Sequence, residues 1–147
     1  MKYLLLGLAL AAALLGGVVF SGGEAYAGDQ IRLRAFLSTL VVDPLRQNDA
    51  EFRQRPDRMR FSTEVHNVAE LGPGLVTVTR DSGITPPTVI LEAPITIVLD
   101  PIRGTGVGHL ELDSRLGDVV PDMAEGDKVV VRNAVGELIG TGTLHHK

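Results

Sequence analysis

The chain has 147 residues, no Cys, no Trp and a formal net charge of −4 with His neutral. That length is one domain's worth. The missing Cys rules out a disulfide framework, a thiol nucleophile and a lipid-modified N-terminal cysteine, and the acidic balance argues against nucleic acid as a partner, since the phosphate backbone rewards net basic surfaces.

The first 27 residues have the order of a bacterial secretory signal. Lys2 supplies the charged start, an apolar run extends from Tyr3 to Phe20, and small and polar residues lead to Ala25-Tyr26-Ala27. An Ala-x-Ala site after such a run predicts cleavage behind Ala27. The rival is a retained signal anchor, because the apolar run is close to the shortest that spans a bilayer. Gly16, Gly17, Gly22 and Gly23 favour cleavage. The mature protein is then Gly28 to Lys147, secreted, periplasmic or held at the cell surface, with no membrane span. Losing Lys2 and Glu24 leaves 13 Lys plus Arg against 17 Asp plus Glu, so the net charge stays at −4. Its only aromatics are Phe36, Phe52 and Phe61, so no stacked Trp or Tyr platform for carbohydrate exists. About 120 residues suffice for one core without metal or disulfides.

From residue 28 onward the apolar pattern has a period of two, the signature of strands with one buried face. Ile31, Leu33, Ala35 and Leu37 alternate with Arg32, Arg34 and Phe36; Phe61, Thr63 and Val65 oppose Ser62, Glu64 and His66. Leu75 to Arg80 is short and β-branched. Thr88 to Leu99 sets Val89, Leu91, Ala93, Ile95, Ile97 and Leu99 on one face, with Pro94 marking an edge or bulge. Val107 to Asp113, Lys128 to Arg132 and Glu137 to Leu144 complete the set, and Val119 to Glu125 is the one place for a helical turn. Turn chemistry such as Gly72-Pro73-Gly74, Asp81-Ser82-Gly83 and Glu125-Gly126-Asp127 separates the runs. Seven or eight short strands so spaced predict a single all-β domain, an antiparallel β-sandwich. Two echoes, Val41 to Arg46 with Val98 to Arg103 and Gly104-Thr105-Gly106 with Gly140-Thr141-Gly142, read as recurring turn and bulge chemistry rather than a duplicated half.

Several motifs fail on their chemistry. Asp100 to Glu111 has the length of a calcium loop, but Ile102 and Gly104 stand where oxygen ligands belong. Its glycines lack the helix and Lys-Ser/Thr of a phosphate loop and read as a close strand approach. Asp113, Asp118, Asp122, Glu125 and Asp127 form an acidic loop without ordered ligand spacing, expected to be solvated. His66 and His109 fall on the outward parity, and adjacent His145 and His146 cannot both face one ion from a strand. A metal-binding protein built on these four histidines and nearby carboxylates is an alternative reading. There is no Gly-x-Ser-x-Gly, no His-Glu-x-x-His and no other catalytic signature. The expectation is a non-enzymatic protein without cofactor.

One stretch stands out: Phe52 to Phe61, FRQRPDRMRF. As a hairpin turning through Arg55-Pro56-Asp57-Arg58, with Pro at the second turn position, it pairs Gln54 with Met59, Arg53 with Arg60 and Phe52 with Phe61. The Phe pair then packs inward, and Arg53, Arg55, Arg58 and Arg60 gather on the outer face. Like charges across a ladder repel, so something must offset them. Asp49, Glu51, Ser62 and Glu64 share that face nearer its base, and Arg32 and Arg34 join it if the first strand pairs there. These six arginines are the candidate site for an anionic polymer or an acidic protein surface, because guanidinium forks match oxyanions. The expected role is an exported interaction or structural module of the bacterial envelope or exterior. A self-associating surface subunit built on exposed strand edges is the remaining alternative.

Overall fold

In a computed structural model, the described residues are 28, 30–38 and 48–147. The signal sequence with its cut site, and the Val41 to Arg46 half of one echo, lie outside them. Nine strands follow in chain order: β1 (Ile31–Phe36), β2 (Asp49–Arg55), β3 (Arg58–Val68), β4 (Gly72–Arg80), β5 (Thr88–Leu99), β6 (Gly106–Asp113), β7 (Lys128–Asn133), β8 (Leu138–Thr143) and β9 (His145–His146). Among the described residues the one helical turn is 3-10, at Ser114–Leu116 rather than within Val119 to Glu125. Asp113 caps it, its carboxylate accepting from the Arg115 backbone N–H.

All nine strands belong to one antiparallel sheet, ordered β8-β7-β4-β5-β6-β3-β2-β1-β9. The expected sandwich is therefore corrected to a sheet nearly closed into a barrel. The closure is made by the C-terminal segment, whose β8 lies along β7 while β9 lies along β1. Ser38 opposite Thr141, Arg34 opposite His145 and Leu33 opposite His146 belong to one register, so the same stretch of chain serves both neighbours. Ser38 and Thr141 exchange both backbone bonds, at 2.8 and 3.1 Å. A period-two pattern tells which face is buried but not whether it meets a second sheet or its own far side, and this is why the sandwich was the wrong inference.

Two glycines of the Gly-Thr-Gly echo let backbones approach closely. A Cβ on Gly142 would fall on the Phe36 carbonyl oxygen, and one on Gly106 would lie 2.8 Å from the Val68 oxygen and 2.7 Å from Ile97 Cγ2. Strands β5 and β6 pair over a short stretch only, from Thr96–His109 to Leu99–Gly106. Pro94 stands on β5 just before that pairing begins, where its missing N–H costs no ladder bond to β6.

The interior is filled by side chains from every long strand, among them Leu33, Phe52, Phe61, Val65, Val76, Val78, Ile95, Val129, Val131 and Leu144, each 2% exposed or less. With β8 and β9 taken together as one closing segment, eight staves surround the interior, just enough room for such packing. Alternation fails at bulges and at the end of β5, where Leu99, read for the buried face, is 52% exposed. A register shift at Val78–Thr79 leaves Ile90 unopposed and turns Val89 outward to 54% exposure. Another, between Val65 and Val68 with Asn67 at φ 58°, accompanies the burial of His66, whose backbone N–H donates to Asn48 Oδ1 at 2.6 Å. The outward, exposed placement read for His66 is thus wrong, because period-two counting fails across a bulge.

The acidic loop is solvated only in part: Asp118, Asp122 and Glu125 are exposed as its composition implies, but its ends are not. Asp113 and Asp127, at its two ends, are each 2% exposed, and Val120 and Met123 between them join the core. Arg80 at the end of β4 grips Asp127 with Nε–Oδ1 at 2.8 Å and Nη2–Oδ2 at 2.7 Å, and the Ala124 N–H adds a third bond at 2.8 Å. Arg58 at the start of β3 grips Asp113 through Nε and Nη2 in the same manner. Paired forks satisfy the carboxylates and make their burial tolerable.

Candidate functional site

The β2–β3 hairpin has the register derived from its sequence: Phe52 opposite Phe61, Arg53 opposite Arg60, Gln54 opposite Met59 and Arg55 opposite Arg58. Phe52 and Phe61 are fully buried. Strand β1 does join this sheet, with Arg32 opposite Arg53 and Arg34 opposite Glu51. On the other side β6 sets Asp113 opposite Arg60 and Glu111 opposite Ser62. The outer face therefore carries three successive rows. Arg55 and Arg58 form the tip, Arg32, Arg53, Arg60 and Asp113 the next row, and Arg34, Glu51, Ser62 and Glu111 the third. All six candidate arginines share one face.

Carboxylates are threaded between the cations and answer the repulsion. Glu51 accepts from Arg32 Nε at 2.6 Å and Arg53 Nη2 at 2.7 Å, with Lys147 Nζ 3.7 Å away. Arg34 reaches Asp49 at 2.5 Å and also stacks over the exposed Phe36 ring, 4.7 Å from its centroid. Arg60 pairs with Glu111 at 2.5 Å, Arg58 with Asp113, and Arg115 with Asp57 at the turn. Burial pushes the Glu51 carboxyl up, but hydrogen bonds from Arg53 and Arg32 outweigh it and hold the pKa below its ordinary 4.5. The Arg60 guanidinium lowers Glu111, and the Arg58 guanidinium lowers Asp113 and is itself raised in return. These acids are anions at neutral pH, and the arginines are held in position by them.

Two clefts open between the side chains. Arg53, Arg55, Arg58 and Arg60 line one of about 30 Å³, and Glu51, Arg53, Arg60 and Ser62 line another of about 80 Å³. Arg60 belongs to both, and its Nε–H is buried without a hydrogen-bond partner.

The four histidines do not gather at one point, although His145 and His146 both approach Glu125. His66 Nε2 lies 3.0 Å from Glu64, His109 lies 3.7 Å from Glu111 on another strand, and His145 and His146 are 3.6 and 4.0 Å from Glu125. Among the described residues, no three His, Cys, Asp or Glu side chains come together in a group able to hold a metal ion. Also among these residues, no helix is long and apolar enough to cross a membrane.

No family model and no curated protein matches this chain.

Sequence reasoning missed Glu111, Asp113 and Arg115 as members of the site. They lie some fifty residues from the hairpin in the chain, and only the β3–β6 pairing brings them there. It also missed the second cleft, although Glu51 and Ser62 had been placed on the correct face.

Proposed function

We propose that this chain is an exported, non-enzymatic binding module of the bacterial envelope or exterior, and that its ligand is an anionic group received by the arginine cleft. The observation that carries the reading is the convergence of Arg53, Arg55, Arg58 and Arg60 on one small cleft. Guanidinium groups keep their charge at any physiological pH and present paired donors to planar or tetrahedral oxyanions. The acids around the cleft hold the forks in place, which lowers the ordering cost of capture. Export rests on the charged start, apolar run and Ala-x-Ala order of residues 1 to 27. Near-closure of the sheet leaves few free strand edges among the described residues, which favours binding over edge-to-edge polymerisation.

The test is retention of the protein on phosphocellulose, a hydroxyl-rich polymer carrying scattered phosphates. The wild-type protein is expected to be retained at low salt and released as salt rises. The double variant Arg53→Glu with Arg55→Glu is expected to pass straight through. Equal retention of the two proteins would sink the reading.

A further inference from the structure

The two clefts differ in chemistry and share a wall. The tip cleft is lined by four guanidinium-bearing side chains. Its neighbour keeps Arg53 and Arg60 but replaces the outer pair by a carboxylate and a hydroxyl, Glu51 and Ser62. Along the strands the rows Arg55–Arg58 and Glu51–Ser62 are four residues apart, with Arg53–Arg60 midway. At about 3.4 Å per residue, each step between rows is roughly 7 Å, about the distance from a charged substituent across one sugar ring.

Glu51 is suited to accept hydroxyl donors. A carboxylate has about four lone-pair positions; Arg32 and Arg53 donate into two of them, and the side chain remains 17% exposed. The same charge makes this second cleft hostile to another anion, since two negative charges at contact repel. A dense polyanion that filled the tip cleft would have to lay its next charge over Glu51. A ligand with a single oxyanion followed by a hydroxyl-rich ring meets no such obstacle.

We propose that the two clefts form one site for an acidic saccharide, its phosphate, sulfate or carboxylate held by Arg53, Arg55, Arg58 and Arg60 and its ring hydroxyls by Glu51 and Ser62. This rests on the anion-binding reading above and adds the ligand class. Recognition is by charge and hydrogen bonds, in keeping with a face that has no Trp or Tyr on which a sugar ring could stack. Specificity arises because hydroxyl binding needs the acidic cleft and anion binding needs the basic one.

The experiment is calorimetric titration of the purified protein with inorganic phosphate, glucose 6-phosphate, glucose 6-sulfate, glucuronate and tripolyphosphate. Glucose 6-phosphate is expected to bind about tenfold tighter than phosphate, which is one decade of dissociation constant. The sulfate and uronate arms identify which oxyanion the tip prefers. In Glu51→Gln and in the milder Ser62→Ala the preference for the sugar phosphate should shrink toward unity while phosphate itself still binds. If phosphate binds and glucose 6-phosphate binds no tighter, the saccharide inference is overturned and the anion reading stands. If tripolyphosphate outcompetes every saccharide, or the preference survives in Ser62→Ala and Glu51→Gln alike, the role given to the second cleft is wrong. If none of the five binds, both inferences fall.

Discussion

Closure of the sheet presses the Gly142 backbone against that of Phe36, and Gly142→Ala tests this seam. A methyl group there would land on the Phe36 carbonyl oxygen, with the Phe36 carbonyl carbon 3.0 Å and Leu37 Cδ2 3.2 Å away. The leucine methyl can swing aside, but the carbonyl cannot, because it belongs to the chain that forms the seam. The strands must separate, which strains or breaks the two Ser38–Thr141 bonds of 2.8 and 3.1 Å. Each such bond contributes about 0.5–1.5 kcal/mol, and overpacking in a tight site costs about 1–3 kcal/mol. Replacing Gly also removes unfolded-state entropy, a stabilising effect of about 0.4–1 kcal/mol that does not reverse the sign. The expected net loss is about 2–4 kcal/mol, read as a fall of roughly 1–3 M in the urea midpoint. Hydrogen exchange should localise the damage, with the Ser38 and Thr141 amides losing protection before those of β4 and β7. Gly28→Ala is the control, since a Cβ there meets nothing within 4 Å. A Gly142→Ala protein within about 0.5 kcal/mol of wild type, with both seam amides still protected, would refute the argument.

Other outcomes follow from the same structure. Phe52→Ala removes a fully buried ring set opposite Phe61 and should cost about 3–5 kcal/mol in chemical denaturation; a loss under about 1 kcal/mol would mean that the hairpin's inner face is not core. Glu51, Glu111 and Asp113 all have pKa values below their ordinary 4.5, 4.5 and 3.8, so the stability they contribute is complete above those values and is lost as pH falls through the lowered ones. Unfolding midpoints should therefore hold level from pH 7 to about 5 and decline below about 4.5, less steeply in Glu111→Gln; a midpoint that rises on acidification would contradict the ion-pair assignments. Export should leave a mature chain beginning at Gly28, seen by intact mass and N-terminal sequencing of protein recovered outside the cytoplasm; a full-length mass there would show that the signal is retained.

The alternation of Ile31, Leu33, Ala35 and Leu37 with Arg32 and Arg34, and the near-palindrome around Pro56-Asp57, were enough to determine two strands, a hairpin and its register. Such features are local: the pleat sends successive side chains to opposite faces, and a four-residue turn sets who stands opposite whom. For that reason Arg53, Arg55, Arg58 and Arg60 could be placed together on one face from sequence, and Glu51 and Ser62 with them, whereas Arg32 and Arg34 join them only through the β1–β2 pairing. What lay beyond reach was everything requiring a partner far along the chain. Whether the buried face met a second sheet or curled onto itself was decided by β1 pairing with the C-terminal segment. His66 went inside because a bulge shifted the count, which no periodicity signals. Asp113 and Asp127 looked like loop acids because their partners, Arg58 and Arg80, sit 55 and 47 residues away. The sequence by itself determined which side chains face outward on the hairpin; the tertiary structure alone decided what stands between the arginines, because β6 brings Glu111 and Asp113 to their side and the cleft takes its form from those contacts.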